Sequence, residues 1–224
     1  MSIAVLIPAA GSGTRFGGEI PKQFLPLAGR PLLLHTVERF LLDENVARVV
    51  VAVAEPLLAS VKQTPGDRVS FVAGGATRQQ SVMRALEAAG EDVEIIAVHD
   101  AVRPFFRTST FAAIVALARE HGAALPAVPL TDTIHMVGDD FTIQQTLDRS
   151  VLAAAQTPQV FRAPILRDIL DRAMREGIEG TDEVSLAVRY GYTVKVVVGD
   201  RTNIKITNAE DMEIAESWLK ETAE

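Results

Sequence analysis

Two cations stand close together on a glycine-rich loop near the start of the chain. The loop reads Pro8-Ala9-Ala10-Gly11-Ser12-Gly13-Thr14-Arg15-Phe16-Gly17, with Pro21-Lys22-Gln23 a few residues later. Small residues and glycines let backbone N–H groups approach a ligand closely, and successive N–H groups can cradle phosphate oxygens. A tight turn alone would also explain the glycines, and solvation at the surface is the usual fate of Lys and Arg. A strand followed by Gly-x-Gly opens dinucleotide-binding folds as well. Here Gly17 comes one place late, and the acidic ribose ligand expected about 20 residues further on is missing, Glu55 at the end of the second strand being too far along. A loop that only bound a dinucleotide would not need both Arg15 and Lys22. The pair favours phosphate binding with charge to spare.

Other clusters repeat the theme. Gly74-Gly75-Ala76-Thr77-Arg78-Gln79-Gln80-Ser81 combines close-approach glycines with Arg78 and Ser81, one helical turn apart on one face. It reads as a second wall for a nucleotide, or as a helix entry with Thr77 as N-cap. His99-Asp100-Ala101-Val102-Arg103-Pro104 puts Asp beside Arg at a strand end. This suits holding a metal or a polar ligand, and equally a local Asp100–Arg103 ion pair; His99 reads as structural. Thr181-Asp182-Glu183 is either a ligand-facing turn or a helix cap with Thr181 as N-cap. Asn203-Ile204-Lys205-Ile206-Thr207 sets Lys205 in a β-like apolar pattern, where a buried ammonium needs an anionic partner. His35, His121 and His135 show no metal-ligand spacing.

These loops need a scaffold. The chain has 224 residues, 48% of them hydrophobic with few aromatics, which suits a Val/Ile/Leu/Ala core in one domain. Short β-branched runs at Ile3–Ile7, Val49–Val53, Val69–Val72, Val93–Val98, Ala123–Val128 and Thr193–Val198 alternate with helical patterns. These helices cover about 31–42, 78–89, 108–121, a stretch after Pro164, about 181–190, and one from Asn208. A short helix follows Pro56. The alternation predicts an α/β fold with a Rossmann-like, mostly parallel sheet covered on both faces. Ligands bind beyond the carboxyl ends of such strands, so Pro8–Lys22, Gly74–Arg78 and Asp100–Arg103 are expected to converge. The rhythm breaks at Thr131–Gln159. There Ile134–Val137, Gly138-Asp139-Asp140 and Phe141–Ile143 read as a hairpin with no covering helix: an arm that projects or packs on another subunit.

The net charge of −7 argues against broad attraction to nucleic acid or anionic membrane. The absence of cysteine removes thiol catalysis and disulfides. No apolar run is as long as a membrane span, and Ile3–Ile7 is too short for a signal core. A cytoplasmic protein is the expectation.

Taken together and in this order, the motifs resemble the 2-C-methyl-D-erythritol 4-phosphate cytidylyltransferase family of the non-mevalonate isoprenoid pathway. The resemblance rests on Ala-Ala-Gly-x-Gly-x-Arg, Pro-Lys-Gln, Gly-Gly-x-x-Arg-x-x-Ser, His-Asp-x-x-Arg-Pro, Asp-Thr, Asp-Arg, Thr-Pro-Gln, Thr-Asp-Glu and Asn-Ile-Lys-x-Thr, all present between Ala9 and Thr207. It implies a single domain over residues 1–224, with 131–159 as a β-arm that builds a homodimer. It implies a CTP site made by Ala9, Ala10, Gly11, Gly13, Gly75, Arg78, Ser81 and Ala101, with Ser81 and nearby backbone reading the base. Arg15 and Lys22 match the catalytic cations. Asp100, Arg103, Thr133, Arg149, Thr157, Thr181 and Lys205 match the methylerythritol phosphate site, with Thr133 and Arg149 reaching the partner subunit's site. Some relatives are acidic where this chain has Ala76, so that side-chain contribution is missing here.

The implied reaction joins a sugar-alcohol phosphate to CMP and releases pyrophosphate. A phosphate monoester is largely dianionic at neutral pH, with a second pKa near ~6, so it attacks without a general base. This accounts for motifs rich in cations and glycines yet lacking a nucleophile–base pair. Mg²⁺ would bridge triphosphate oxygens, keeping phosphate and water ligands, with Asp100 as the one candidate protein ligand. The alternatives are a ribitol-5-phosphate cytidylyltransferase, which shares the first strands and Thr-Pro-Gln, a nicotinamide-dependent oxidoreductase, and a non-catalytic nucleotide-binding module. Asp148-Arg149-Ser150, Thr181-Asp182-Glu183 and Asn208-Ala209-Glu210-Asp211 look more like the methylerythritol enzyme than the ribitol one.

Overall fold

A computed structural model describes residues 2–11, 20–61 and 66–221. Arg15 and Gly13 of the opening loop lie outside the described residues. The sheet is built around β1 (Ile3–Ala9), which is buried at every position except Pro8. It pairs in parallel with β2 (Val46–Val53) on one side and β4 (Ile95–Val98) on the other, and β2 carries β3 (Val69–Ala73) in parallel at the edge. Strands buried on both faces are expected to be continuous β-branched runs, and β2 is one: Val49 to Val53 are all fully buried.

Beyond β4 the order departs from simple alternation. β9 (Gln159–Arg162) inserts antiparallel between β4 and β5 (Ala123–Pro129). β8 (Ala153–Ala155) pairs antiparallel with the far half of β5, and β10 (Val194–Val198) runs parallel to β5. The eight strands form one sheet, mostly parallel as the sequence pattern implied.

Alternate residues of the strands feed two cores. Ile3, Val5 and Ile7 pack on one face with α1 (Leu32–Leu41), α3 (Thr108–His121) and α6 (Ala209–Glu221). Ala4, Leu6, Val50 and Ala52 pack on the other with α2 (Arg78–Ala89), α4 (Ala163–Glu176) and α5 (Glu183–Arg189). In α1 the buried Leu32, Leu33, Thr36, Val37 and Phe40 form one stripe at helical spacing. No helix among the described residues is long and apolar enough to cross a membrane.

The segment expected to be an arm divides in two. β6 (Ile134–Val137) and β7 (Ile143–Leu147) pair with each other and stand apart from the main sheet. The second strand begins at Ile143 rather than at Phe141, because Gly138, Asp140 and Thr142 bond among themselves as a turn. Phe141 and Val151 are 89% and 80% exposed. Within 131–159, β8 and the start of β9 belong to the main sheet. Both are short and follow a stretch without helical pattern, so nothing in the local sequence marks their return.

Candidate active site

Each loop at the carboxyl edge of the sheet is held by a specific device. After β1, the chain passes Ala10 to Gly11, and Gln23 of the one-turn 3₁₀ helix Lys22–Phe24 bonds the carbonyls of Ala9 and Gly11. After β3, Gly74 passes so close to the first loop that a Cβ on it would lie 2.3 Å from the Ala10 Cβ. Here glycine is required by proximity, not by turn geometry. Thr77 caps α2 by accepting from Gln80 N at 3.2 Å, as the helix-entry reading anticipated. After β4, Asp100 to Val102 complete the floor, and the Ala101 carbonyl accepts from the buried Thr36 hydroxyl at 3.0 Å.

These loops converge on a cavity of about 370 Å³. It is lined by Pro8 to Gly11, Lys22, Gln23, Gly75 to Arg78, Ser81, Asp100 to Val102 and Lys205. The three strand-end loops meet as expected, and of the implied nucleotide residues Ala9, Ala10, Gly11, Gly75, Arg78, Ser81 and Ala101 all face this space. The Ser81 hydroxyl is engaged with backbone: it donates to Thr77 O at 2.9 Å and accepts from Gly75 N at 3.1 Å. It therefore shapes the Gly75 turn.

The charges of the site are paired. Arg78 Nη1 lies 2.7 Å from Glu183 Oε1, whose side chain is 2% exposed. Burial works against the Arg78 charge, but Glu183 outweighs it and raises the guanidinium pKa. Asp100 Oδ2 takes Arg103 Nε at 3.1 Å and Lys205 Nζ at 3.2 Å. Burial alone would raise the Asp100 carboxyl, yet Lys205, then Arg103 and Arg78, hold it well below the usual carboxylate range. His99 is fully buried and its pKa is lowered to about 4, first by desolvation. Its Nε2 lies 3.0 Å from the Arg103 carbonyl, and its ring packs edge-on to Phe40 and Phe106. It is structural, as its sequence context suggested.

Several expectations need correction. Lys205 is not in a strand, and its side chain is 44% exposed with Asp100 as partner. The apolar neighbours Ile204 and Ile206 pack inward from an irregular segment that mimics alternation. Thr181 is not the cap of α5: Asp182 accepts from Ser185 N at 2.8 Å in a capping box. Thr157 does not line the cavity. It is buried beneath it, where its hydroxyl accepts from Asp100 N at 3.1 Å. Arg103 likewise lies behind Asp100, donating to Asn203 O at 2.8 Å. Thr181 is outside the cavity lining. Thr133 and Arg149, expected to serve the partner subunit's site, stand beside the hairpin, where Arg149 bonds to the Thr131 carbonyl.

As for a metal, no group of three or more acidic or imidazole side chains gathers among the described residues. Asp100 already holds two cations on one oxygen. It does not fit as the anchor of a protein-held Mg²⁺.

Sequence reasoning missed Glu183, Gln23 and Asn203 as parts of the site. Glu183 shares the buried stripe of α5 with Leu186 and Ala187, at i, i+3 and i+4. An acid on such a stripe calls for a buried cation, and that signal was readable. The Asn203 amide, which donates to Thr157 O at 2.9 Å, had no such signal.

Comparison with known proteins decides among the phosphate-binding readings. The model of the family described as 2-C-methyl-D-erythritol 4-phosphate cytidylyltransferase matches residues 3–221. The chain belongs to that family. The cytidylyltransferase of that name from Solibacter usitatus is 43% identical over 238 residues, covering 100% of this chain and 98% of the relative. That of Symbiobacterium thermophilum is 44% identical over 223 residues, covering 99% and 94%. Among solved structures, the Thermus thermophilus cytidylyltransferase superposes with a TM-score of 0.83 at 35% identity, covering 98% of this chain and 100% of that one. The 4-diphosphocytidyl-2C-methyl-D-erythritol synthase of Anaerococcus prevotii gives 0.86 at 26% identity, covering 98% of each chain. The protein is thus a nucleotidyltransferase of the non-mevalonate isoprenoid pathway, with the α/β architecture of its family.

Proposed function

We propose that this cytidylyltransferase transfers CMP from CTP to 2-C-methyl-D-erythritol 4-phosphate by in-line attack of the substrate phosphate on the α-phosphorus. The bond from the α-phosphorus to the bridging oxygen breaks, and pyrophosphate leaves. The observation that carries this reading is one cavity lined by Lys22, Arg78 and Lys205. Among the described residues its one carboxylate is Asp100, itself neutralised by cations. Such a surplus suits two anionic substrates brought together, where positioning and electrostatic stabilisation of the crowded phosphate supply the catalysis.

In this reading Ala9, Ala10, Gly11, Gly13, Gly75, Ser81 and Ala101 bind CTP through backbone and close approach, and Arg78 flanks it. Lys22 and Arg15 meet the charge that develops between the two phosphates. Lys205 receives the second phosphate, placed by Asp100. Arg103 and Thr157 hold Asp100 from behind, and Thr181 borders the same end of the sheet. Mg²⁺, if bound, would be carried by the triphosphate, where it would offset phosphate charge.

The exposed hairpin 134–147, with Phe141 at its turn, supports a homodimer in which Thr133 and Arg149 reach the partner's site. A cytoplasmic location without nucleic-acid partners fits the net charge of −7.

Pyrophosphate release from CTP with methylerythritol phosphate, run beside ribitol 5-phosphate and beside the other nucleoside triphosphates, tests the assignment. Release with ribitol 5-phosphate alone would overturn it.

A further inference from the structure

Gln23 is a neutral polar side chain buried where the two ends of the phosphate loop meet. The residue is 4% exposed, yet it comes from the turn that presents Lys22 to the cavity. Its Nε2 donates to Ala9 O at 2.6 Å and to Gly11 O at 2.9 Å. Both hydrogens of one amide are thus spent on the two carbonyls that flank Ala10. In a trans peptide the C=O and N–H point to opposite sides. Turning the Ala9 carbonyl towards Gln23 therefore turns the Ala10 N–H away from it. The 3₁₀ turn is closed by Phe24 N to Pro21 O at 2.8 Å and Leu25 N to Lys22 O at 3.1 Å, so Lys22 and Gln23 move as a unit.

We infer that Gln23 is a positioning residue that clasps the Ala9–Gly11 segment and fixes where Lys22 stands relative to the amides at Ala10 and Gly11. The chemistry of the site restricts the residue. A primary amide is the side chain that places two uncharged donors on one terminal nitrogen. A carboxylate would set acceptor against acceptor. A hydrocarbon would take the donor from the buried Ala9 carbonyl and from the part-buried Gly11 carbonyl. An ammonium would add a second charge beside Lys22. The inference rests on the role given to Lys22 in the proposed reaction.

The test compares Gln23→Leu in the wild-type and Lys22→Ala backgrounds, measuring kcat, KM for CTP and thermal melting. In the wild-type background Gln23→Leu should lower kcat about tenfold or more, the scale of a small misplacement of a reacting geometry. In the Lys22→Ala background the same change should cost less than about threefold, because the misplaced cation is already gone and coupled residues are non-additive. Unchanged kcat in the first background, or an equal loss in both, would overturn the inference. Where Gln23→Leu melts below the assay temperature, Gln23→Asn carries the same comparison, keeping both donors on a shorter stem. Normal turnover by Lys22→Ala alone would refute the role of Lys22. Normal turnover by Gln23→Leu beside a crippled Lys22→Ala would refute the clasp.

Discussion

Lys205 Nζ stands 3.2 Å from Asp100 Oδ2, and the same oxygen receives Arg103 Nε at 3.1 Å. One carboxylate therefore fixes two cations, of which Arg103 is nearly buried and Lys205 faces the cavity. Lys205→Ala is expected to raise KM for methylerythritol phosphate about tenfold or more, as loss of a charge-assisted hydrogen bond implies. KM for CTP should change far less. Steady-state kinetics varying each substrate separately distinguish the two.

Lys22→Ala should lower kcat by a factor on the order of 10², the scale for removing one donor aimed at developing charge. CTP affinity should fall much less. Single-turnover rates beside equilibrium binding of CTP give the separation.

Glu183 is buried against Arg78 at 2.7 Å, from an element 105 residues away. Glu183→Gln should destabilise the fold by on the order of 2 kcal/mol. That is below the ~3–5 typical when one partner of a fully buried pair is removed, because the Arg78 side chain is 31% exposed. KM for CTP should rise with it. Chemical denaturation of Glu183→Gln, Arg78→Gln and the double variant should show a double loss smaller than the sum.

His99 has a pKa lowered to about 4 from 6.5 by burial. The folded state thus disfavours the proton that the unfolded chain accepts. Its contribution to stability is complete above pH 6.5 and is lost as the pH falls towards 4, on the order of 3 kcal/mol in all. His99→Gln should flatten that part of the stability profile, as read by denaturant unfolding at pH values from about 7 down to about 4.5.

If Arg149 serves the partner's site, mixed dimers of Arg149→Ala and Lys22→Ala chains should regain activity that neither parent has. Tagged hybrid dimers, purified and assayed, decide this. Hybrids as inactive as the parents would confine each site to one chain.

The sequence by itself determined the helices, the loops that carry chemistry and most of the strands, but not β8 or β9. The β-branched run Val49–Val53 reads as a strand, and Thr77 before Arg78 reads as a helix entry, because composition and capping are local properties. The convergence of Pro8–Lys22, Gly74–Arg78 and Asp100–Arg103 followed from the general geometry of parallel sheets. What neighbours each side chain was decided only by the tertiary structure. That Lys205 pairs with Asp100, that Arg78 pairs with Glu183, and that Thr157 lies under the site all depend on how distant segments pack. The position of Thr157 in particular follows from β9 inserting antiparallel between β4 and β5. That insertion is a long-range pairing of a four-residue strand with no periodicity of its own. Charge pairing across such distances is set by how the elements pack, so a sequence shows the cations and carboxylates but not which of them meet.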